Sequence, residues 1–168
     1  MFSEQNTPHW YAAYTLSRHE KTTAKHFGQR AIEHFVPTYE SVHFWKDRRK
    51  RITAPLFPGY VFVRVPLQDK LSVLVVPGVV RLVGFENRPV AVPDEEIAAL
   101  RNIVAHGLNA EPHPYLVTGC KARLTRGPLE GMRGVLIRKK GRLRLLLSVD
   151  LIRQAATIEV DAADVEPL

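Results

Sequence analysis

One cluster of side chains has the chemistry needed to contact nucleic acid. Residues 43–54 hold five Lys/Arg and one Asp, and Phe44 and Trp45 lie among them. Cationic side chains pair with phosphates and aromatic rings stack on bases, so an exposed tip of this composition suits a nucleic-acid strand or an acidic partner. Solvated surface charge is the alternative interpretation. The predicted nucleic-acid-binding residues are Trp45, Lys46, Arg48, Arg49, Lys50 and Arg51.

Groups that could carry catalysis or hold a metal ion are scattered along the chain. The seven histidines form no His-x-x-x-His pair on a predicted helix and no set with metal-ligand spacing. The single cysteine, Cys120, has no neighbouring base that would activate it. Neither Gly-x-Gly-x-x-Gly nor a phosphate loop ending in Gly-Lys-Ser/Thr occurs. The sequence therefore predicts a binding protein, not an enzyme, with no catalytic residue, no metal site and no cofactor.

A second binding feature is the apolar stretch of residues 55–63, which reads as a strand. Period-2 alternation gives it two apolar faces, one with Phe57, Gly59, Val61 and Val63 and the other with Pro58, Tyr60 and Phe62. One face can join a core. The other needs either a covering helix or a partner protein.

Strands and helices alternate in the part of the chain that carries both features. Strands are predicted at residues 9–16, 34–43, 56–65 and 79–84, and the basic cluster lies at the far end of the hairpin between the second and the third. Ser17 and Glu20 match a capping box, which predicts a helix over 18–33 with Ala24, Phe27 and Ala31 on its buried stripe. A further helix follows Pro93. This order predicts an α+β sandwich with an antiparallel sheet over residues 8–106.

The pattern changes after residue 106. Residues 107–114 lack periodicity and contain two prolines, which predicts a semi-rigid linker. Residues 115–168 show short alternating strands with glycines at the turns. Four or five such strands in about 55 residues fit a small SH3-like barrel. The predicted fold is therefore α+β overall, with an α/β sandwich, a linker and a barrel domain in that order.

Composition limits the class of protein further. The chain has 168 residues, 45% of them apolar, and a net charge of +7, which suits one mid-sized domain or two small ones and an acidic partner. No apolar run is long enough to span a membrane, and the N-terminus has no secretory signal pattern. The lone cysteine fits a reducing compartment. We expect a cytoplasmic monomer with no membrane contact.

Several motifs, taken in order, resemble the NusG family of transcription elongation factors. The N-terminal motifs are Trp10-Tyr11, Glu20-Lys21, Phe57-Pro58-Gly59-Tyr60-Val61 and Pro77-Gly78-Val79. The C-terminal ones are the KOW-like stretch Gly119–Gly134, the strand Leu145–Val149 and the closing Val165-Glu166. The resemblance covers nearly the whole chain. It implies an NGN-like N-terminal domain followed by a KOW barrel.

This resemblance also implies the partners. Family members bind the clamp helices of bacterial RNA polymerase through an apolar pocket of the N-terminal domain and act without a covalent step. The RNA polymerase-binding residues that it implies are Trp10, Tyr11, Phe57, Pro58, Tyr60 and Phe62. The basic tip would contact upstream or non-template DNA. The barrel would recruit a ribosomal protein or the termination factor Rho through the adjacent apolar residues Leu151 and Ile152.

Two segments resemble specialised RfaH-type and UpxY-type paralogues, which antiterminate selected operons, more than they resemble housekeeping members of the family. These are Pro55-Leu56-Phe57-Pro58 and the loop Leu151-Ile152-Arg153-Gln154, where housekeeping members have Phe-Gly-Arg. The polar His-Thr-Thr motif of RfaH-like proteins is replaced by Asp69-Lys70-Leu71-Ser72, so that polymerase contact is not implied. Glycine-rich turns predict a C-terminal barrel that does not refold into helices.

A ribosome-associated or RNA-binding KOW protein is the alternative function, because such barrels also occur in ribosomal proteins. The apolar strand with few charges in the N-terminal domain favours a protein groove over RNA. Salt discriminates between the two, since binding to phosphates weakens steeply as the salt concentration rises and an apolar contact does not.

Overall fold

The structure is a computed structural model that describes residues 5–115 and 119–168. Residues 1–4, where the sequence predicts no secretory signal, and residues 116–118 of the predicted barrel domain lie outside these ranges. The chain divides into two compact units, Met1–Val36 with Phe57–Ile97 and Pro37–Leu56 with Ala98–Leu168. The domain boundaries expected from the sequence, at residues 106 and 115, stay a prediction.

Strands dominate the described chain. The helices are α1 (Glu20–Gln29), α2 (Lys70–Leu74) and α3 (Asp94–Ala105). The strands are β1 (Pro8–Thr15), β2 (Glu33–Phe35), β3 (Thr38–Trp45), β4 (Arg48–Pro55), β5 (Tyr60–Pro66), β6 (Val79–Leu82), β7 (Gly84–Phe85), β8 (Arg88–Pro89), β9 (Glu111–His113), β10 (Cys120–Leu124), β11 (Arg133–Lys139), β12 (Arg142–Val149), β13 (Gln154–Glu159) and β14 (Val165–Pro167). None of the described helices is both long and apolar enough to cross a membrane.

The first unit is built on an antiparallel sheet with the strand order β2–β5–β1–β6. Strand β5 lies inside this sheet and is buried on both of its faces, because the consecutive residues Val61, Phe62 and Val63 are all inaccessible to solvent. The side of Val61 and Val63 packs with Phe27 of α1 and Val73 of α2 in one hydrophobic cluster. The prediction of a strand that is apolar on both faces is thus confirmed.

Two local predictions for the first unit are wrong, the start of the apolar strand at residue 56 and the capping box of Ser17 and Glu20. β5 begins at Tyr60 instead of residue 56, because Gly59 has φ +90° and forms a turn. Helix α1 spans only ten residues, and no side chain caps its N-terminus. Its buried residues are Glu20, Thr23 and Phe27, so Phe27 alone is buried among the predicted stripe of Ala24, Phe27 and Ala31. Ala31 has φ +55° and lies beyond the helix.

The second unit contains two antiparallel sheets. One is the two-stranded hairpin of β3 and β4. The other has the order β14–β10–β11–β12–β13–β9, in which the last five strands of the chain follow the 5-1-2-3-4 arrangement of an SH3-like fold. Its centre is β12, where Leu145, Leu146 and Leu147 are buried in succession. The predicted α+β class with a β-rich C-terminal part is confirmed.

Part of the predicted linker is a strand of this sheet. Glu111–His113 form β9 and pair with Ala155–Thr157 of β13. Glu111 is held by the Lys139 ammonium, which donates a hydrogen bond of 2.9 Å to its Oε1, and by Arg144 at 3.7 Å. The Lys139 hydrogen bond and the nearby cations lower the pKa of the Glu111 carboxyl against the opposing effect of its burial. The ionised carboxylate therefore fastens β9 to the sheet.

We expect this carboxylate to make the stability of the second unit depend on pH. The folded-state pKa is lowered, so its stabilisation is complete above the unfolded-state pKa, near 4.5, and is lost as the pH falls through the folded value. The side chain is 41% exposed, and solvent screening limits the effect to about 0.5–1 kcal/mol. Urea unfolding of the wild type and Glu111→Gln should differ at about pH 7 and converge in acid. An equal difference at both pH values would contradict this assignment.

Candidate functional sites

Most of the aromatic side chains predicted to bind a protein partner share one face of the first unit's sheet. The pairing of β1 with β5 sets Tyr60 opposite Tyr14 and Phe62 opposite Ala12, and Trp10 follows on the same side because alternate residues share a face. Residues Val61 and Val63 occupy the other side, with the α1 core. The sheet therefore carries an aromatic row on the face away from α1.

Accessibility divides this row into a buried part and an open part. Trp10, Tyr11, Phe57 and Phe62 are all buried, Phe57 and Phe62 almost completely. Their rings support one another, since Phe57 meets Phe62 edge-on with 6.3 Å between the ring centroids. Tyr11 belongs to the α1 core, and burial raises the pKa of its hydroxyl. Pro58 and Tyr60 remain accessible to solvent.

The open end of the row contains two residues that the sequence analysis missed. Tyr14 is 37% exposed, and its ring lies 5.5 Å from that of Tyr60 between centroids, tilted by 53°. The Arg81 guanidinium lies over the Tyr14 ring, 5.6 Å from its centroid. We call Tyr14, Pro58, Tyr60 and Arg81 the tyrosine patch. The alternation Trp10-x-x-x-Tyr14 was the available sequence signal, because it places both rings on one strand face.

The turn that precedes Tyr60 is fixed by a buried carboxylate. Glu20, at the first position of α1, accepts a hydrogen bond of 2.7 Å from the Gly59 N–H. The Gly59 carbonyl in turn accepts one of 2.8 Å from the Thr15 N–H. A side chain at Gly59 would have its Cβ 3.3 Å from the Tyr14 ring, and the positive φ disfavours any other residue. Glu20 thus helps to position Tyr60 of the tyrosine patch through its hydrogen bond to the preceding turn.

The predicted basic cluster lies on the hairpin of β3 and β4, which we call the basic hairpin. Its two-residue turn is Lys46-Asp47, and both residues have positive φ, as a type I′ turn requires. All six predicted nucleic-acid-binding residues are exposed, Trp45 by 74%. The hairpin therefore holds the cations on a regular ladder instead of on an irregular loop.

The hairpin register sorts the cations onto two faces. On one face Trp45 lies opposite Arg48, and His43 lies opposite Lys50. On the other face Phe44 lies opposite Arg49, whose guanidinium is 5.8 Å from the ring centroid, and Val42 lies opposite Arg51. Arg51 is also 3.8 Å from the Glu40 carboxylate. The face of Trp45 carries Arg48 and Lys50 without a carboxylate in its ladder, so it is the better surface for a phosphate strand.

The two predicted anchors in the C-terminal unit differ in accessibility. Leu151 and Ile152 lie in the 3-10 turn Asp150–Ile152 that follows β12. Ile152 is 5% exposed, whereas Leu151 is half-buried. The Tyr115 hydroxyl donates a hydrogen bond of 3.2 Å to Asp150 at the start of the same turn. Leu151 is therefore the side chain of the pair that is open to contact.

Metal-ligating groups do not converge in the part of the chain that the structure describes. No cluster of three or more His, Cys, Asp or Glu side chains occurs there with a geometry that could hold a metal ion. Cys120 is exposed, and its Sγ lies 3.5 Å from the Lys121 carbonyl oxygen. The chemistry that these residues offer is aromatic, apolar and cationic surface.

These features define a class of protein, an α+β chain with a β-rich C-terminal part that presents an aromatic patch and a basic hairpin. The chain belongs to the NusG family, since the family model described as "Transcription termination factor nusG" matches residues 8–101. It is 28% identical over 181 aligned positions to the "Transcription termination/antitermination protein NusG" of Yersinia pestis, with 98% of each chain covered. The protein of that name from Escherichia coli K12 gives the same identity and coverage.

A solved structure supports the fold. The structure described as "Domain interaction in Thermotoga maritima NusG" is similar with a TM-score of 0.60 and 20% sequence identity. The similarity covers 98% of this chain and 99% of that one. At this level of identity it shows a common fold.

Removal of the Glu20 carboxylate should loosen the turn beneath the tyrosine patch. Glu20→Ala leaves the Gly59 N–H without its partner, and loss of a hydrogen bond to a charged group costs about 1.5–3 kcal/mol. We expect the midpoint of urea unfolding to fall and the Gly59 amide to exchange its hydrogen faster. Glu130→Ala, at an exposed position, is the matched control. Unchanged protection of Gly59 in Glu20→Ala would contradict the role given to Glu20.

Proposed function

We propose that this chain is a transcription elongation and antitermination factor that binds bacterial RNA polymerase at its clamp helices through the tyrosine patch. Membership of the NusG family supports this function, and so do the names of its relatives. The observation that carries it is the pair of solvent-accessible rings, Tyr14 and Tyr60, held at the open end of a buried aromatic row. The factor would act in the cytoplasm as a monomer, by binding and without catalysis.

The patch has the properties of a protein-binding anchor. Tyrosine and arginine are enriched among the residues that dominate binding energy, and such residues work best when a rigid surround fixes them. Here the rigid surround is the buried set of Trp10, Phe57 and Phe62, and Tyr60 is further fixed by the Glu20–Gly59 bond. These buried residues would shape the contact surface instead of touching the partner.

The basic hairpin supplies the second proposed contact, with upstream or non-template DNA. Its Trp45 face presents Arg48 and Lys50 beside an exposed ring, a combination that binds phosphate and base together. The contact would be electrostatic and would weaken with salt, in contrast to the patch. Two contacts of different physical origin would let the factor hold polymerase and DNA at the same time.

The C-terminal strands supply the third proposed contact, with a ribosomal protein or Rho. Leu151 would be the anchor, and the buried Ile152 would hold the turn in place. We further propose that residues 8–106 and 115–168 act as an NGN-like and a KOW domain joined by residues 107–114. The Leu151–Gln154 turn, together with the stretch Pro55–Pro58, supports a specialised role at selected operons.

Loss of the Tyr14 and Tyr60 rings should weaken binding to polymerase. We expect Tyr14→Ala with Tyr60→Ala to weaken binding to purified bacterial RNA polymerase by about 30-fold or more at low and at moderate salt, because anchor residues cost about 1–3 kcal/mol each when truncated, or at least about 2 kcal/mol for the pair. Phe44→Ala, which removes a more exposed ring on the basic hairpin, is the control. Circular dichroism checks the fold. Unchanged binding in the double variant would instead favour the ribosome-associated or RNA-binding alternative.

Loss of charge on the Trp45 face should change the salt dependence of DNA binding. We expect Arg48→Ala with Lys50→Ala to reduce the slope of log affinity against log salt on duplex DNA by about 1.8, which is about 0.9 for each phosphate contact. Arg126→Ala with Arg138→Ala removes the same charge from exposed positions of the second unit and serves as the control. Equal slopes in the two double variants would mean that net charge alone acts.

A further inference from the structure

A basic pocket in the first unit lies apart from the basic hairpin in the sequence. It has a volume of about 390 Å³ and is formed by α2, β6 and the short hairpin of β7 and β8. Its lining residues are Lys70, Leu74, Arg81, Leu82, Gly84, Glu86, Asn87, Arg88 and Pro89. That volume lies at the lower end of the range for small-molecule sites, about 300–1,000 Å³.

The pocket has an excess of positive charge. Its lining contains three cations, Lys70, Arg81 and Arg88, and one carboxylate, that of Glu86. Among the described residues, no ion pair engages any of the three cations. Arg81 instead contacts the Tyr14 ring. The pocket therefore attracts an anion, and Asn87 adds an amide that can donate a hydrogen bond.

An exposed aromatic residue, Phe85, lies next to one of these cations, Arg88, outside the residues that line the pocket. Phe85 is 74% exposed and lies directly opposite Arg88 in the β7–β8 pair, so both side chains leave the hairpin on the same side. The turn between them, Glu86-Asn87, has positive φ at both residues. At Gly84 a Cβ would lie 1.9 Å from the Arg88 carbonyl oxygen, so the two short strands approach too closely there for any larger residue. The backbone of the short hairpin therefore holds Phe85 and Arg88 at directly opposite positions.

We propose that this pocket binds the backbone of a single-stranded nucleic acid, with phosphates held by Lys70, Arg81 and Arg88 and one base stacked on Phe85. A free inorganic anion would use the cations but not the ring. A duplex offers no unstacked base to an exposed side chain, whereas a single strand does. The proposal does not rest on polymerase binding, and it adds a second nucleic-acid site to that of the basic hairpin.

The test uses the full chain with Arg48→Ala and Lys50→Ala already introduced, so that the basic hairpin contributes little. Fluorescence anisotropy measures binding of a labelled single strand of about 12 nucleotides, a length within the usual site size, over a series of salt concentrations. The charge variant is Lys70→Glu with Arg88→Glu, which leaves Arg81 and the tyrosine patch intact. The control, Arg126→Glu with Arg138→Glu, changes the net charge equally at exposed positions elsewhere.

We expect the charge variant to lose at least about 10-fold in affinity and about 1.4 in salt slope, or about 0.7 for each phosphate contact on a single strand. A second variant, Phe85→Ala, should weaken binding by about 5-fold or more, as loss of one stacked base predicts. The same variant should bind a strand of abasic sites as well as its parent does. Circular dichroism establishes that each variant is folded.

Three results would overturn the proposal. The first is an equal loss of affinity in the charge variant and its control, which would mean that only net charge matters. The second is a Phe85→Ala variant that binds the normal and the abasic strand with the same affinities as its parent. The third is tighter binding of the matching duplex than of the single strand by the hairpin-depleted parent.

Discussion

The burial of β5 on both of its faces is the constraint on which the first unit depends. A strand with apolar side chains on both sides must be covered on both, and the α1 side is filled by the cluster around Phe27 and Val73. On the other side, the rings of Phe35 and Phe57 both contact the ring of Phe62. The end of this aromatic row at Tyr60 is accessible to solvent. The solvent-accessible aromatic surface is therefore continuous with a buried aromatic core. This core holds the accessible rings in place.

The three surfaces of the chain differ in the physical interactions that they offer. The tyrosine patch offers aromatic area with little charge, the Trp45 face of the basic hairpin offers charge along a regular ladder, and the pocket beside Phe85 offers charge in a concave setting. Arg81 joins the first and the third, since it contacts Tyr14 and also lines the pocket. A ligand that draws the guanidinium into the pocket would alter the edge of the patch, so the proposed ligands of the two surfaces would affect each other's binding.

Local patterns predicted the elements better than the contacts between them. Turn residues, alternation and the charge run indicated most of the strands and the exposure of the basic cluster, because these depend on neighbours in the chain. The exception is β4, since the prediction paired the strand before the basic cluster with residues 56–65 and the structure pairs it with Arg48–Pro55. The orientation of each ring depends on the register of β1 against β5, which residues far apart in sequence set jointly. The sequence therefore pointed to Phe57 and Phe62, which lie inside, and not to Tyr14. Glu20 was assigned to a helix cap, because its partner Gly59 is distant in sequence. β9 resembled a linker since a three-residue strand carries no periodic signal.

The basic hairpin has a consequence for the behaviour of the protein at high concentration. It is a sheet of only two strands, so within the described chain the outer edges of β3 and β4 carry unpaired backbone groups, beside the exposed apolar side chains of Val42, Phe44 and Ile52. Such an edge is a template for pairing with another chain, and closely spaced Lys and Arg residues oppose this by mutual repulsion. The same arginines that suit phosphate contact thus keep the hairpin from self-association. Neutralising all of them at once would remove this repulsion and favour aggregation.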